Sequence, residues 1–170
     1  MLSAQAGVRL RTATRVDAAA MAEIYNQGIE DRVATFETSA RSTEQMAGWF
    51  EAGAPIVVAE VDGEVAGFAA AFAYSDRCCY AGIYEFSVYV HRNWRGQKVG
   101  EAAMGALIDA VHSAGGWKLL SRIFVENSAS RALMAKVGFK EIGVHEKHGK
   151  LDGVWRDCVI VERLIAENIS

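Results

Sequence analysis

Proline occurs once in 170 residues, cysteine three times and histidine four times. Each shortage removes a class of explanation. With one proline and 51% hydrophobic residues, the chain lacks the composition of a disordered or linker-rich protein. It reads as a single domain over residues 1–170, large enough to bury a substantial core. Cys78, Cys79 and Cys158 are odd in number, and neither they nor the histidines show metal-ligand spacing. No disulfide framework and no metal are expected, and a reducing cytoplasm suits the chain. The adjacent Cys78 and Cys79 are either soft-metal ligands or small apolar filler. A formal net charge of −3 offers no general basic field for nucleic acid. No apolar run approaches the ~20 residues that span a membrane. There is no Gly-x-x-x-x-Gly-Lys-Ser/Thr run, and no Gly-x-Gly-x-x-Gly with an acidic residue at the dinucleotide-binding distance.

What is present centres on Glu85 to Val111. Phe86, Val88 and Val90 alternate with Ser87, Tyr89 and His91, which predicts a strand. Val99, Ala102, Ala103, Ala106, Leu107, Ala110 and Val111 recur at three- and four-residue intervals, which predicts a helix. Between them runs a tight basic turn, Arg92 to Lys98, with Gly96 inside it and Gly100 opening the helix. A strand that turns directly into a helix aims free backbone N–H groups and the positive end of the helix dipole at one spot. With Arg92, Arg95 and Lys98 beside it, that spot suits a diphosphate. An ordinary strand-to-helix loop with solvated basic residues is the competing account.

The remaining elements follow in order. Residues 1–6 are expected to be a flexible tail, followed by a strand from Val8 to Thr14. A helix from Asp17, its N-cap, runs to Asp31; Arg32 to Thr38 is irregular; Thr43 caps a second helix through Phe50. Ile56–Val61 and Glu64–Ala73 are strands around an Asp62-Gly63 hairpin turn. After the central strand and helix come a strand from Trp117 to Val125 and a short helix capped by Asn127 or Ser128. The final strands are Phe139 to His145 and Val154 to Leu164, joined by a polar turn from Lys147 to Gly153. The expected fold is α/β (α+β), a mixed and mostly antiparallel central sheet with helices on both faces.

Arg95-Gly96-Gln97-Lys98-Val99-Gly100 resembles the Arg/Gln-x-x-Gly-x-Gly/Ala signature of the GNAT superfamily of acyl-CoA-dependent N-acetyltransferases, and the element order is similar to the GNAT fold. Lys98 stands where the middle glycine belongs; its N–H survives if φ is negative or if the lysine tolerates strain. Arg77, Tyr80, Glu85 and Ser87-Val88-Tyr89-Val90 fall at spacings similar to those of phosphinothricin N-acetyltransferases. Thr35 to Thr38, Glu126-Asn127-Ser128, Lys136 to Phe139 and Trp155-x-Asp157 match the same family, and Tyr25 to Arg32 is close to its arsinothricin-acetylating members.

The resemblance implies acetyl-CoA as co-substrate, no metal, a homodimer, and acetylation of the α-amine of a phosphinothricin, arsinothricin or methionine sulfoximine type of substrate. A peptide N-terminal acetyltransferase and a non-catalytic acyl-CoA sensor are the alternatives. Glu85 is then the base that deprotonates the α-ammonium, with partial burial raising its pKa, or else a carboxylate on a solvated strand face. The resemblance places the backbone of Val88, Tyr89 and Val90 beside the pantetheine arm, with an N–H, that of Val90, facing the oxyanion. Arg95, Gly96, Gln97, Lys98, Val99 and Gly100 hold the diphosphate in this view. Asn127 and Ser130 match cofactor-contacting positions, although helix capping accounts for them equally. Arg77 is a carboxylate clamp or a solvated loop arginine. Phe36 and Tyr80 wall the substrate pocket or pack ordinarily, and His148, in a polar turn that the resemblance puts near the substrate end, is the best site candidate of the four histidines or else a surface histidine. Relatives place a proton-donating tyrosine or histidine where this chain has Met134, which leaves Tyr89, His148 or water to meet the departing thiolate.

Overall fold

The computed structural model describes residues 7–170; the tail expected at residues 1–6 lies outside the described residues. Seven strands form one sheet: β1 (Val8–Thr12), β2 (Ile56–Val61), β3 (Glu64–Ala73), β4 (Ile83–Val90), β5 (Lys118–Phe124), β6 (Lys140–Leu151) and β7 (Val154–Leu164). Four helices accompany them: α1 (Ala18–Asp31), α2 (Thr43–Ala47), α3 (Val99–Ser113) and α4 (Ser128–Lys136). The strand order is β1-β2-β3-β4-β5-β7-β6. Only β4 and β5 run parallel; every other neighbouring pair is antiparallel.

The sheet separates two cores because side chains alternate across a strand. Val57, Ala59, Ala69 and Ala71 face α3, where Ala103, Met104, Leu107 and Val111 are fully buried. Val58, Phe68 and Ala70 face the other way, onto Met21, Ile24 and Tyr25 of α1 and Met46 of α2. β2 and β3 are therefore apolar on both faces.

Local signals explain most boundaries. Asp62 and Gly63, with φ of 52° and 80°, close the β2–β3 hairpin through the left-handed conformations such a two-residue turn requires. Asn127 caps α4, its Oδ1 accepting from the N–H of Ser130 at 3.1 Å.

Two expectations are corrected and one is refined. Ser42, not Thr43, caps α2: its Oγ accepts from Gln45 N while Gln45 Oε1 accepts from Ser42 N, a reciprocal capping box. Asp17 holds the N-cap position of α1 as expected but makes no side-chain cap bond, because Arg11 grips its carboxylate with two bonds of 2.8 Å and the N–H of Thr14 supplies a third. The polar turn expected from Lys147 to Gly153 is mostly strand. β6 continues to Leu151 through a bulge between His145 and Gly149, since Leu151 is buried with Phe124 and Cys158. Asp152 and Gly153, at φ of 51° and 79°, then repeat the turn chemistry of the first hairpin.

Candidate active site

β4 and β5 pair only from Ile83–Lys118 to Glu85–Leu120; beyond that the strands part. A cleft of about 970 Å³ opens there, of the size that holds small molecules and cofactors. The backbone of β4 forms one wall. His91 N donates to Ala66 O of β3 at 2.8 Å. Phe86 O accepts from Ser121 Oγ, and Val90 O from Arg95 Nε, on the opposite edge. Since N–H and C=O directions alternate along a strand, the N–H groups of Val88 and Val90 point away from β3 into the cleft.

At one end lies the turn into α3. Gly96 has φ 77° and open space where a Cβ would sit, whereas a Cβ on Gly100 would meet Leu133 at 3.1 Å and Val90 at 3.4 Å. Gly100 thus seats the mouth of α3 against β4 and α4. Lys98 does not take the negative φ that one of its two expected options required. It adopts φ 63°, which costs a non-glycine residue on the order of 1 kcal/mol, and its N–H remains available. The first N–H groups of α3 have no acceptor within the helix, so together with the dipole they form an anion seat lined by Gly96, Lys98, Val99 and Gly100. The neighbouring arginines are not free charges. Arg95 Nη1 bonds Asp31 at 2.5 Å, and Arg92 Nη2 bonds Glu30 at 3.0 Å. Gln97 lies outside the lining, its amide turned back to Asn93 O.

Glu85 stands where β4 and β5 separate. It is half-buried, opposite Phe72 of β3; its carboxylate pairs with the Arg122 guanidinium, and the two side chains are 37% and 40% exposed. An aromatic cluster also lines the cleft. Trp49 meets Tyr25 edge-on at 5.7 Å and Phe72 at 5.1 Å, and Tyr25 rests on Tyr89 at 4.8 Å. The Tyr25 hydroxyl donates to Glu37 at 2.8 Å, and Arg41 completes the network with a two-point bond to Glu37. That bond holds the Glu37 carboxyl below the usual carboxylate range. Burial pushes the phenols of Tyr25 and Tyr89 up. The Tyr89 ring is packed between Phe68 and Tyr25.

Of the expected site residues, Glu85, Val88, Tyr89, Val90, Arg95, Gly96, Lys98, Val99, Gly100, Asn127 and Ser130 share this cleft. Phe36, Arg77, Tyr80 and His148 lie outside it. The Phe36 ring is drawn to Phe124 at 4.7 Å and covers Gly149. Arg77 and Tyr80 are on an exposed turn, with the guanidinium over the tyrosine ring. His148 stacks on His145 at 4.4 Å in the β6 bulge, where burial lowers its pKa. Met134 is buried beneath α4 in the α3-side core. Asn127 also donates from Nδ2 to Val33 O, tying the end of α1 to α4 across the cleft.

Tyr25, Glu37, Arg41, Trp49, Phe72 and Arg122 also line the cleft, and none is singled out as a site residue above. The pairing of Glu85 with Arg122 spans 37 positions and leaves no local pattern. Among the described residues, no group of three or more His, Cys, Asp or Glu side chains is placed to hold a metal, and no helix is long and apolar enough to cross a membrane.

Known proteins are similar to this chain in sequence and fold. The L-amino acid N-acyltransferase MnaT of Escherichia coli is 29% identical over 93% of this chain and 94% of its own. A phosphinothricin N-acetyltransferase of Alcaligenes faecalis is 34% identical over 86% and 77%. The crystal structure of a phosphinothricin acetyltransferase from Sinorhizobium meliloti in complex with acetyl-CoA superimposes with a TM-score of 0.87 at 30% identity, covering 93% of this chain and 88% of that one. Residues 20–139, which carry the α3 mouth, the parted strands and Glu85, match the acetyltransferase (GNAT) family model. The chain belongs to that family, as an acetyl-CoA-dependent N-acetyltransferase.

Proposed function

We propose that this enzyme acetylates the α-amine of a free amino acid or amino-acid analogue of the phosphinothricin, arsinothricin or methionine sulfoximine type. The observation that carries this reading is the position of Glu85. It lies at the last β4–β5 pair, opposite Phe72, in the same cleft that the mouth of α3, Tyr25 and Trp49 line. An α-ammonium has no nucleophilic lone pair until it loses a proton, and a carboxylate in that position accepts it, directly or through water. Acetyl-CoA supplies the thioester that the freed amine attacks. The chain does the rest by placement. The amides of Gly96 to Gly100 and Lys98 hold the diphosphate. The N–H groups of Val88 and Val90 face the thioester arm, and that of Val90 stabilises the developing oxyanion. Asn127 and Ser130 border the same arm. With Met134 buried and the Tyr89 ring packed between Phe68 and Tyr25, water meets the departing thiolate, whose parent thiol has a pKa of about 8.5.

The same reading makes the enzyme a cytoplasmic homodimer, and the exposed Ile142, Val144 and Val154 of the β6–β7 hairpin offer apolar surface for the second copy. The test is CoA release over a panel of free amino acids, the three analogues and short peptides. Turnover confined to free amino-acid-like amines supports the proposal. Faster turnover of peptide N-termini, or tight acetyl-CoA binding with no amine accepted, would overturn it.

A further inference from the structure

The cleft holds two guanidinium–carboxylate pairs, and they differ in one respect that matters for a substrate. Arg41 is committed: two of its nitrogens bond Glu37, and its plane lies over Tyr25 at 5.5 Å from the ring centroid. Arg122 is not committed. A single nitrogen reaches Glu85 Oε1, no other hydrogen bond of its guanidinium is present among the described residues, and 40% of its side chain is exposed. Glu85 is the last β4 residue paired with β5, opposite Leu120, and Arg122 follows two residues later on the same face. That is the face turned towards α1 and α2, since Leu119 and Ile123 point to the α3 core. Both Glu85 and Arg122 line the cleft, whereas Arg77, the other candidate clamp, sits outside it on an exposed turn.

We infer that Arg122 is the residue that selects for a free α-carboxylate, the amino-acid substrate inserting as a zwitterion between Arg122 and Glu85. The inference rests on the function proposed above. An α-amino acid carries its ammonium and carboxylate on one carbon, so the two charges are separated by about the reach of one hydrogen-bonded ion pair. A cation and an anion held side by side match that dipole with both signs correct. On binding, the substrate carboxylate takes the free donors of Arg122 and its ammonium faces Glu85. One protein ion pair is exchanged for two to the ligand, and Glu85 is released from its guanidinium at the moment it must accept a proton. A peptide N-terminus, or an amino-acid amide, has the ammonium without the adjacent carboxylate. It would separate Arg122 from Glu85 without offering the guanidinium a new partner, a penalty that the free acid avoids.

The test compares the intact wild-type enzyme with Arg122→Leu and Arg122→Lys, using L-phosphinothricin and L-methionine sulfoximine against their α-carboxamides. Wild type is expected to prefer each free acid over its amide by roughly tenfold or more in kcat/KM. Arg122→Leu should raise KM for the acids by about tenfold or more and abolish the preference for acid over amide, while KM for acetyl-CoA stays within about twofold; Arg122→Lys should restore part of the preference. A residue that only orients Glu85 would instead lower kcat equally for acid and amide, and that result overturns the inference. So does a preference that survives in Arg122→Leu. Calorimetric binding of the same ligands separates this failure from failure of the proposed function. If wild type binds the acids without acetylating them, the proposed function falls, and loss of that binding in Arg122→Leu still upholds Arg122 as the selector. If wild type neither binds nor acetylates a free amino acid, both fall.

Discussion

Gly28 of α1 and Tyr89 of β4 touch so closely that a Cβ on Gly28 would lie 2.9 Å from both Cδ1 and Cε1 of the tyrosine ring. The ring cannot easily retreat, because Phe68 stacks on it at 5.7 Å and Tyr25 lies at 4.8 Å. Replacing glycine by alanine inside an exposed helix gains roughly 1 kcal/mol, whereas overpacking a filled core costs about 1–3 kcal/mol. Here the second effect wins. Gly28→Ala should lower the melting temperature and, by shifting Tyr89, weaken acetyl-CoA binding; calorimetric unfolding and a binding titration measure the two.

Glu85→Gln keeps the size of the side chain and removes the proton acceptor. The expected loss in kcat is about 10²–10⁴-fold, the usual contribution of a positioned base, with acetyl-CoA affinity unchanged. The acid limb of the kcat/KM profile should disappear with it. A variant that retains the wild-type profile would assign the proton transfer elsewhere.

Asp31 holds Arg95 at 2.5 Å and Arg92 at 3.4 Å, beside the anion seat at α3. Its negative charge competes with a diphosphate for those cations. Asp31→Asn should tighten acetyl-CoA binding by about two- to fivefold at low salt, in line with the modest worth of exposed ion pairs, and by less at high salt. Isothermal titration at two ionic strengths reads this directly. Weaker binding would mean that Asp31 positions Arg95 rather than competing for it.

The buried Asp17 carboxylate is held below its ordinary range chiefly by the Arg11 hydrogen bonds, and Glu37 by those of Arg41. Both pKa values are depressed on folding. Their stabilisation is therefore complete above the unfolded carboxylate value of about 4 and is lost as pH falls through the lower folded values. Chemical denaturation between pH 7 and pH 3 should show stability falling towards acid. Asp17→Asn should start lower and fall less steeply. An equal acid slope in the variant would remove Asp17 as a cause.

The elements that were legible in the sequence are those whose cause is local. Asp62-Gly63 encodes its own turn, Asn127 its own cap, and Val99 to Val111 its own buried face. The extent of β6 is less legible because Lys147 to Lys150 has the polarity of a loop, although Leu151-Asp152-Gly153-Val154 repeats the dipeptide of the first hairpin and is the available signal. The cradle and Glu85 stood out by motif and by alternation. Arg122, Tyr25, Glu37 and Arg41 did not, because what makes each notable is a partner or a wall supplied by another element. Phe36, Arg77, Tyr80 and His148 show the converse limit: matching spacing places a residue along the chain, while Phe124 or His145 decides which way its side chain turns.

The parting of β4 from β5 carries a further consequence for how the free enzyme meets solvent. Residues Phe86 to Val90 lie mid-sheet, yet only every second amide is sheltered, by β3. Deuterium should accordingly enter Val88 and Val90 quickly while Ser87 and Tyr89 stay protected. A strand left half-clothed in this way must shed bound water before any arm can lie along it, so a ligand bearing peptide-like groups of its own, which can take up those vacated bonds, is favoured over a plain hydrocarbon of equal length.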